Sequence, residues 1–464
     1  MNESISSKAQ PGTATDTSQL TVDETESSAT ASQAAQAVPP VAELHTKLDP
    51  EAAKKLFPVF SNHAEYIFFD NASTTQKPAS VIADGVKFRT SECANPGRGT
   101  YKFATRAARK IEEARCRVAA FLNAKAADIA FTSGATESLN LSALSWGLAN
   151  LADGDEIMVC LEDHKSTVYP WFVVKDILEQ RGCRIKVVPF SLNEKGCYDQ
   201  ASIKSGFNSK TRLIALTQVH NLFGVDTGVA NIRSIVGKDV VVSLDASQSV
   251  GHCKVDLQKL DIDMLSFSGH KMFADYGVGV LWLSPRIQAS LKPARLGGGT
   301  PASLTGGVLS LTSTSVQTLF ESGSPNVPAI ASMTFALDAI EALGVEQIED
   351  HLDGLTRHLL QVLKPMQGIE FAPGAAHDAT AKGCGIVSFR FEQVGSAELA
   401  FALGEEKILV RGGDHCLSKQ AAGGWLRVSM HVYNSTSEID ALAKCLQRLL
   451  EADPSSRVCT PTDC

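Results

Sequence analysis

Lys271 closes the stretch DMLSFSGHK, behind Ser266, Ser268 and His270, at the end of a short apolar run. A lysine is almost never fully buried without a partner, and one at a strand end is, by itself, a solvated surface group. Two other apolar runs also end on residues that can do chemistry. In VVSLDASQSVGH (241–252) the acid Asp245 ends the run and Gln248 follows, although an acid there can simply cap the next helix. In IAFTSGATESLNL (129–141) Gly134 separates an apolar run from a helical pattern beginning near Thr136. Free N–H groups and the dipole at such a helix start attract anions, although any strand-to-helix turn can call for a glycine.

Together the three stretches meet one specific demand. Pyridoxal phosphate needs a lysine for its Schiff base, an acid facing its pyridine nitrogen and donors for its phosphate. Asp245 would keep that nitrogen protonated and make the ring an electron sink. Thr136, Ser268 and His270 would supply phosphate donors, and Lys271 would carry the cofactor.

Such residues must be held at strand ends, and the chain supplies the strands. From about residue 66, short apolar runs alternate with amphipathic helical stretches. The runs predict strands at 128–132, 156–160, 184–190, 212–219, 240–245, 264–268 and 278–283, with helices between most of them, such as 105–122 and 136–151. That alternation predicts an α/β fold with a mostly parallel sheet covered on both faces, whose ligands sit outside the carboxyl ends of the strands. After GGGTP (297–301) and SGSPNVP (322–328) the texture changes. Residues 329–363 read as two helices, and later strands mix with helices in an α+β pattern. The last helix starts at a capping box from Ser435 to Glu438, after which Ile439, Leu442, Leu446 and Leu449 recur at helical spacing. The expected organisation is a large domain over 60–335 and a smaller α+β C-terminal domain over 336–455.

Composition narrows the partners. Of 464 residues 44% are hydrophobic and 20% charged, the balance of a globular protein, and the net charge of −8 argues against nucleic acid or an anionic membrane surface. No apolar stretch approaches the ~20 residues of a membrane span. Residues 1–45 form a tail whose first forty positions are rich in Ser, Thr, Ala and Gln, a composition expected to stay disordered. It has neither the arginines of a transit peptide nor the apolar core of a signal peptide, so the expected location is cytoplasmic. The 11 cysteines include no CxxC pair, which suggests neither a zinc site nor a disulfide framework.

The order and spacing of these pieces resemble the class V aminotransferase family of fold-type I pyridoxal phosphate enzymes, and within it the SufS-type cysteine desulfurases. The likeness runs from YIFFDNASTTQKP (66–78) to LRVSMHVYNST (426–436), through FTSGATESLNL, DHKSTVYPW, HNLFGV, DASQSVGH, SFSGHK, FESGSPN and RGGDHC. The resemblance implies a cofactor site that includes Ala135 and Thr136, with His164 stacked on the ring and moving protons. It implies that Asn221 sits beside the ring and helps hold substrate, and that Gln248 bonds the ring oxygen. Ser324 would reach the phosphate of a neighbouring subunit, which implies a homodimer. Arg427 would bind the substrate carboxylate, a job a planar guanidinium does better than an ammonium, and Arg411 would assist.

Cys416 decides the activity the resemblance implies. It lies in a polar, glycine-containing stretch, where a core role is less natural than for the other cysteines. In the family this cysteine takes sulfur from L-cysteine as a persulfide, leaves L-alanine and passes the sulfur to an acceptor protein or scaffold. His415 and Arg411 nearby would favour its thiolate. Other uses of the same cofactor are a selenocysteine lyase, an epimerase or a transaminase, and a further reading is an idle cofactor-binding protein. The chain departs from the family pattern in MFADYG (272–277), which replaces a Gly-Pro-Thr-Gly loop. It also differs at Tyr101 and Asp414, where histidines are common, and in a shortened segment from Cys416 to Arg427.

Overall fold

The structure is a computed structural model that describes residues 48–97, 99–374, 382–419 and 424–451. The expected tail over 1–45 lies outside the described residues. A seven-stranded sheet organises the chain, in the order Ile129–Thr132, Gly279–Leu283, Met264–Ser268, Val241–Asp245, Thr211–Thr217, Glu156–Cys160, Lys186–Phe190. Gly279–Leu283 runs antiparallel to both its neighbours, and the other pairings are parallel.

The central strands are buried along their whole length, which is why they read as unbroken apolar runs rather than alternating ones. Helices cover the sheet. Ala135–Asn150 and Lys165–Gln180 pack with it around Trp146, Trp171 and Leu178. Lys102–Phe121 and Val327–Leu343 pack in the larger cluster around Ile111, Val118, Met333 and Leu337.

A four-stranded antiparallel sheet lies beyond, in the order Ile369–Phe371, Ile386–Phe391, Trp425–Ser429, Arg411–Gly413. The helices Val345–Leu363 and Thr436–Glu451 accompany it. The capping box forms as expected: Ser435 N–H donates to Glu438 Oε2 at 3.1 Å and Glu438 N–H to Ser435 Oγ at 3.4 Å. Between the sheets, Ala302–Thr305 and Val308–Leu311 make a hairpin closed by Gly306 and Gly307, both at positive φ. Among the described residues no single helix is long and apolar enough to cross a membrane.

Candidate active site

The carboxyl ends of the parallel strands open into a cavity of about 230 Å³. Asp245 ends its strand and stands in register with Thr217 on one side and Ser266 on the other. Lys271 closes a tight turn, Gly269–Lys271, immediately after the strand Met264–Ser268. His164 caps the helix that follows Glu156–Cys160, accepting from Ser166 N–H at its Nδ1, so a neutral ring carries its proton on Nε2.

Ala135 starts the helix after Ile129–Thr132, and Ser268 Oγ accepts from its N–H at 2.8 Å. That tight turn explains one glycine: a Cβ on Gly279 would fall 2.4 Å from Gly134 Cα. Thr136 Oγ1 is 2.8 Å from Ser166 Oγ. Asn221, Gln248 and His270 line the same cavity, as do Arg411, Cys416 and Arg427 from the C-terminal part of the chain. Ser324 does not. It lines a separate cavity of about 300 Å³ with Glu137, Arg295 and Asn326.

Burial and neighbouring charges shift several of these groups. Desolvation, with Arg427 and Arg411 nearby, holds the Lys271 amine below the ordinary lysine value against the pull of Asp245. Burial and Lys271 bring His164 down to about 4, and the same two causes with Lys77 bring His270 to about 4. Asp245, 5 % exposed, accepts from Thr167 Oγ1 at 3.1 Å and from Ser247 N–H at 2.9 Å. These bonds fix its carboxylate orientation.

The turn bearing Lys271 is gripped from outside. The His270 carbonyl accepts from Thr75 N–H at 3.0 Å, Thr74 Oγ1 at 3.0 Å, Thr75 Oγ1 at 3.1 Å and Lys77 Nζ at 3.0 Å. Ser73, Thr74, Thr75 and Lys77 lie in YIFFDNASTTQKP and Ser166 in DHKSTVYPW, but, like Thr217, they receive no individual role from the sequence, because a local pattern does not tell which distant group a single polar side chain reaches.

The segment with Cys416 is stitched to the strand end beside His164. Lys165 N–H donates to Cys416 O at 2.9 Å, Ser418 N–H to Asp163 O at 3.0 Å and Lys419 N–H to Leu161 O at 2.8 Å. His415 and Cys416 both sit at positive φ, 52° and 59°, which costs side-chain-bearing residues about 1–2 kcal/mol each. Burial and Arg427 bring His415 down to about 3, and its Nε2 lies 2.8 Å from the Trp425 carbonyl. It is therefore neutral and turned aside. The cation facing Cys416 is Arg411 alone of the expected pair, with Nη2 3.7 Å from the sulfur.

The cavity also has unmet hydrogen-bonding capacity. Asn221 Oδ1, Ser247 Oγ, Gln248 Oε1, His270 Nδ1 and Arg427 Nε are buried and make no protein hydrogen bond. Such atoms are costly unless a ligand or water meets them. A lysine amine, a fixed carboxylate, a helix start and unmatched donors and acceptors together suit an aromatic aldehyde phosphate.

The model of the family described as aminotransferase class-V matches residues 67–442. The chain belongs to the class V aminotransferase family. Family members depend on pyridoxal phosphate, and the residues above fit that cofactor. Among curated relatives of this class V chain, a probable cysteine desulfurase of Halalkalibacterium halodurans is 32% identical over 410 residues, 86% of this chain and 97% of the relative. A cysteine desulfurase of Pectobacterium carotovorum is 31% identical, covering 86% of this chain and 97% of that one. Among solved structures, a cysteine desulfurase from Thermococcus onnurineus superposes with a TM-score of 0.78 at 29% identity, over 87% of this chain and 98% of the other. The cysteine desulfurase CsdA from Escherichia coli, in an S-sulfonic acid form, gives 0.77 at 28% over the same shares. The class V chain thus has the fold-type I architecture of these enzymes.

Proposed function

We propose that this class V enzyme is a cysteine desulfurase that moves the sulfur of L-cysteine onto Cys416. One observation carries the reading: Cys416 shares the cavity of Lys271 and Asp245, with a guanidinium 3.7 Å from its sulfur. The thiol thus lines the same cavity as the lysine and Arg427, where a sulfur acceptor has to stand to meet a substrate held there.

Arg427 would bind the substrate carboxylate, with Arg411 beside it. Lys271 would hold pyridoxal phosphate covalently and, once released, move a proton at the substrate α-carbon. Asp245 would face the pyridine nitrogen, and Ala135, Thr136, Ser268 and His270 would receive the phosphate. His164 would lie over the ring, Asn221 beside it, and Gln248 at the ring oxygen. Bound in this way, the cofactor supplies an electron sink for charge developing at the substrate carbons. Cys416 Sγ then attacks the substrate sulfur. The new S–S bond forms as the C–S bond breaks, the carbon keeps that electron pair and takes a proton, and L-alanine leaves beside a Cys416 persulfide.

The wider reading includes a homodimer in which Ser324 serves a neighbouring subunit's phosphate. Exposed Leu304, Val308 and Leu309 on the hairpin at 302–311 support a second copy covering that face. It also includes a cytoplasmic location, a sulfur-acceptor protein or scaffold, and a large domain over 60–335 with a smaller one over 336–455. The activity is tested by incubating purified, cofactor-loaded protein with L-cysteine. Equal amounts of alanine and protein-bound persulfide in the first turnover support it; alanine-free release of other products contradicts it.

A further inference from the structure

The strands Arg411–Gly413 and Trp425–Ser429 run antiparallel in a register that sets Arg411 directly opposite Arg427. Like charges facing each other across a sheet repel, and Arg427 is only 2 % exposed, so water does little to screen the pair. A single hydroxyl joins them. Ser73 Oγ accepts from Arg411 Nη1 at 3.0 Å and from Arg427 Nη2 at 2.8 Å, and it donates to Asp70 Oδ1 at 2.7 Å. A serine hydroxyl has one proton to give and two lone pairs to fill. All three are in use.

We propose that Ser73 is a positioning residue that holds Arg427 toward the substrate carboxylate and Arg411 toward the Cys416 sulfur. One hydroxyl thereby couples substrate capture to the reacting thiol. The proposal rests on the carboxylate-binding role given above to Arg427.

The charges are consistent with it. Asp70 Oδ1 also accepts from Arg427 Nη2 at 3.0 Å, so one carboxylate offsets one of two guanidiniums. The remaining positive charge matches the single carboxylate of an amino acid. Arg427 Nη1 is held by the Asn221 carbonyl at 3.0 Å, while Nε is buried and unmatched. Arg411 gives Nη1 to Ser73 and turns Nη2 to Cys416. Without the hydroxyl, the two guanidiniums lose their common acceptor, and the less enclosed Arg411 is free to swing away from the sulfur.

Ser73 keeps its place through neighbours that do not use its side chain. Asn71 N–H donates to Ser429 O at 3.3 Å and Ala72 N–H to Ser429 Oγ at 2.9 Å. A change at Ser73 therefore leaves the backbone attachment of this segment intact.

The test compares Ser73→Ala, Ser73→Thr and Arg427→Lys with the parent protein in two measurements. L-Alanine, the sulfur-free product, is titrated against the visible absorption of the cofactor-loaded proteins. The cofactor-free proteins are treated with iodoacetamide, and labelling of the Cys416 peptide is followed by mass spectrometry. Ser73→Ala should weaken L-alanine binding on the order of tenfold, which corresponds to about 1.4 kcal/mol, and slow Cys416 labelling severalfold. Ser73→Thr, which keeps a hydroxyl, should restore both. Arg427→Lys should weaken L-alanine binding and leave Cys416 labelling unchanged. Parental values for Ser73→Ala in either measurement overturn the coupling. Parental L-alanine binding by Arg427→Lys instead contradicts the carboxylate reading, and Cys416 labelling then decides the bridge to Arg411.

Discussion

Lys165 N–H donates to the Cys416 carbonyl at 2.9 Å, and this bond ties Cys416 to the helix that His164 caps. The thiol is consequently positioned by the same strand end that positions His164. The Lys165 side chain adds an ion pair to Asp414 at 3.3 Å, with exposures of 33% and 39%. Half-exposed pairs of this kind contribute about 0–1 kcal/mol, so the backbone bonds do most of the holding. Lys165→Ala should leave the rate of Cys416 labelling by iodoacetamide within about twofold of the parent. A tenfold change would show that the ion pair, and not the backbone ladder, sets the thiol.

Lys271→Ala should abolish the covalent cofactor link. Reduction with borohydride followed by denaturation and peptide mapping should find the cofactor on Lys271 in the parent and on no peptide in the variant. Labelling of another lysine to the same extent in both proteins would sink the assignment.

Arg115 is buried beside the strand Ile129–Thr132, its side chain 4% exposed, and pairs with Glu321 at 2.6 Å while donating to the Ile129 carbonyl at 2.9 Å. Glu321 in turn accepts from Phe131 N–H at 2.6 Å. Glu321→Ala leaves a buried charge with only the more exposed Glu112 for company, a loss of about 3 kcal/mol. Chemical denaturation should show the midpoint falling with an unchanged slope; an unmoved midpoint would mean the pair is dispensable.

Acid should weaken the fold through its enclosed histidines. Burial, with Lys271 adding to it, brings His252 from 6.5 down to about 4, and burial does the same to His220. The unfolded chain takes up a proton near pH 6.5 that the folded ring refuses until about pH 4. Stability is therefore complete above the higher value and declines between the two, by on the order of 3 kcal/mol per ring at the acid end. Thermal midpoints should be level from about pH 8 to pH 7 and fall below about pH 6.5, and His252→Gln should make that fall shallower. An equally steep decline in the variant would rule out His252 as a source.

Much of this was legible in the sequence, for a physical reason. Strands buried on both faces must be unbroken apolar runs, so Glu156–Cys160 and Met264–Ser268 are found where the pattern puts them. Residues at their carboxyl ends, Asp245 and Lys271, could be read as a set because the fold gathers strand ends. Strand direction was not legible, since Gly279–Leu283 looks the same whichever way it runs. The hairpin at 302–311 lies between the turn signals at 297–301 and 322–328 and has no counterpart among the expected strands, although ASLT-GG-VLSL carries a two-glycine loop of the kind that closes hairpins. Ser73 lies in the quoted stretch YIFFDNASTTQKP, but its bonds to Arg411 and Arg427 were not legible, because they depend on the cross-strand register of the two arginines, which no local pattern encodes.

The most direct measurement of the central claim is a single-turnover assay of Cys416→Ser with L-cysteine. Lys271, Asp245 and the turn at Gly134–Thr136 are untouched, so the variant should bind pyridoxal phosphate and respond spectrally to L-cysteine as the parent does. A serine hydroxyl is a far weaker nucleophile at neutral pH, so it should form neither alanine nor protein-bound persulfide. Alanine and sulfur released by Cys416→Ser at the parental rate would contradict the account, and would leave Cys416 a bystander in a lyase of another kind.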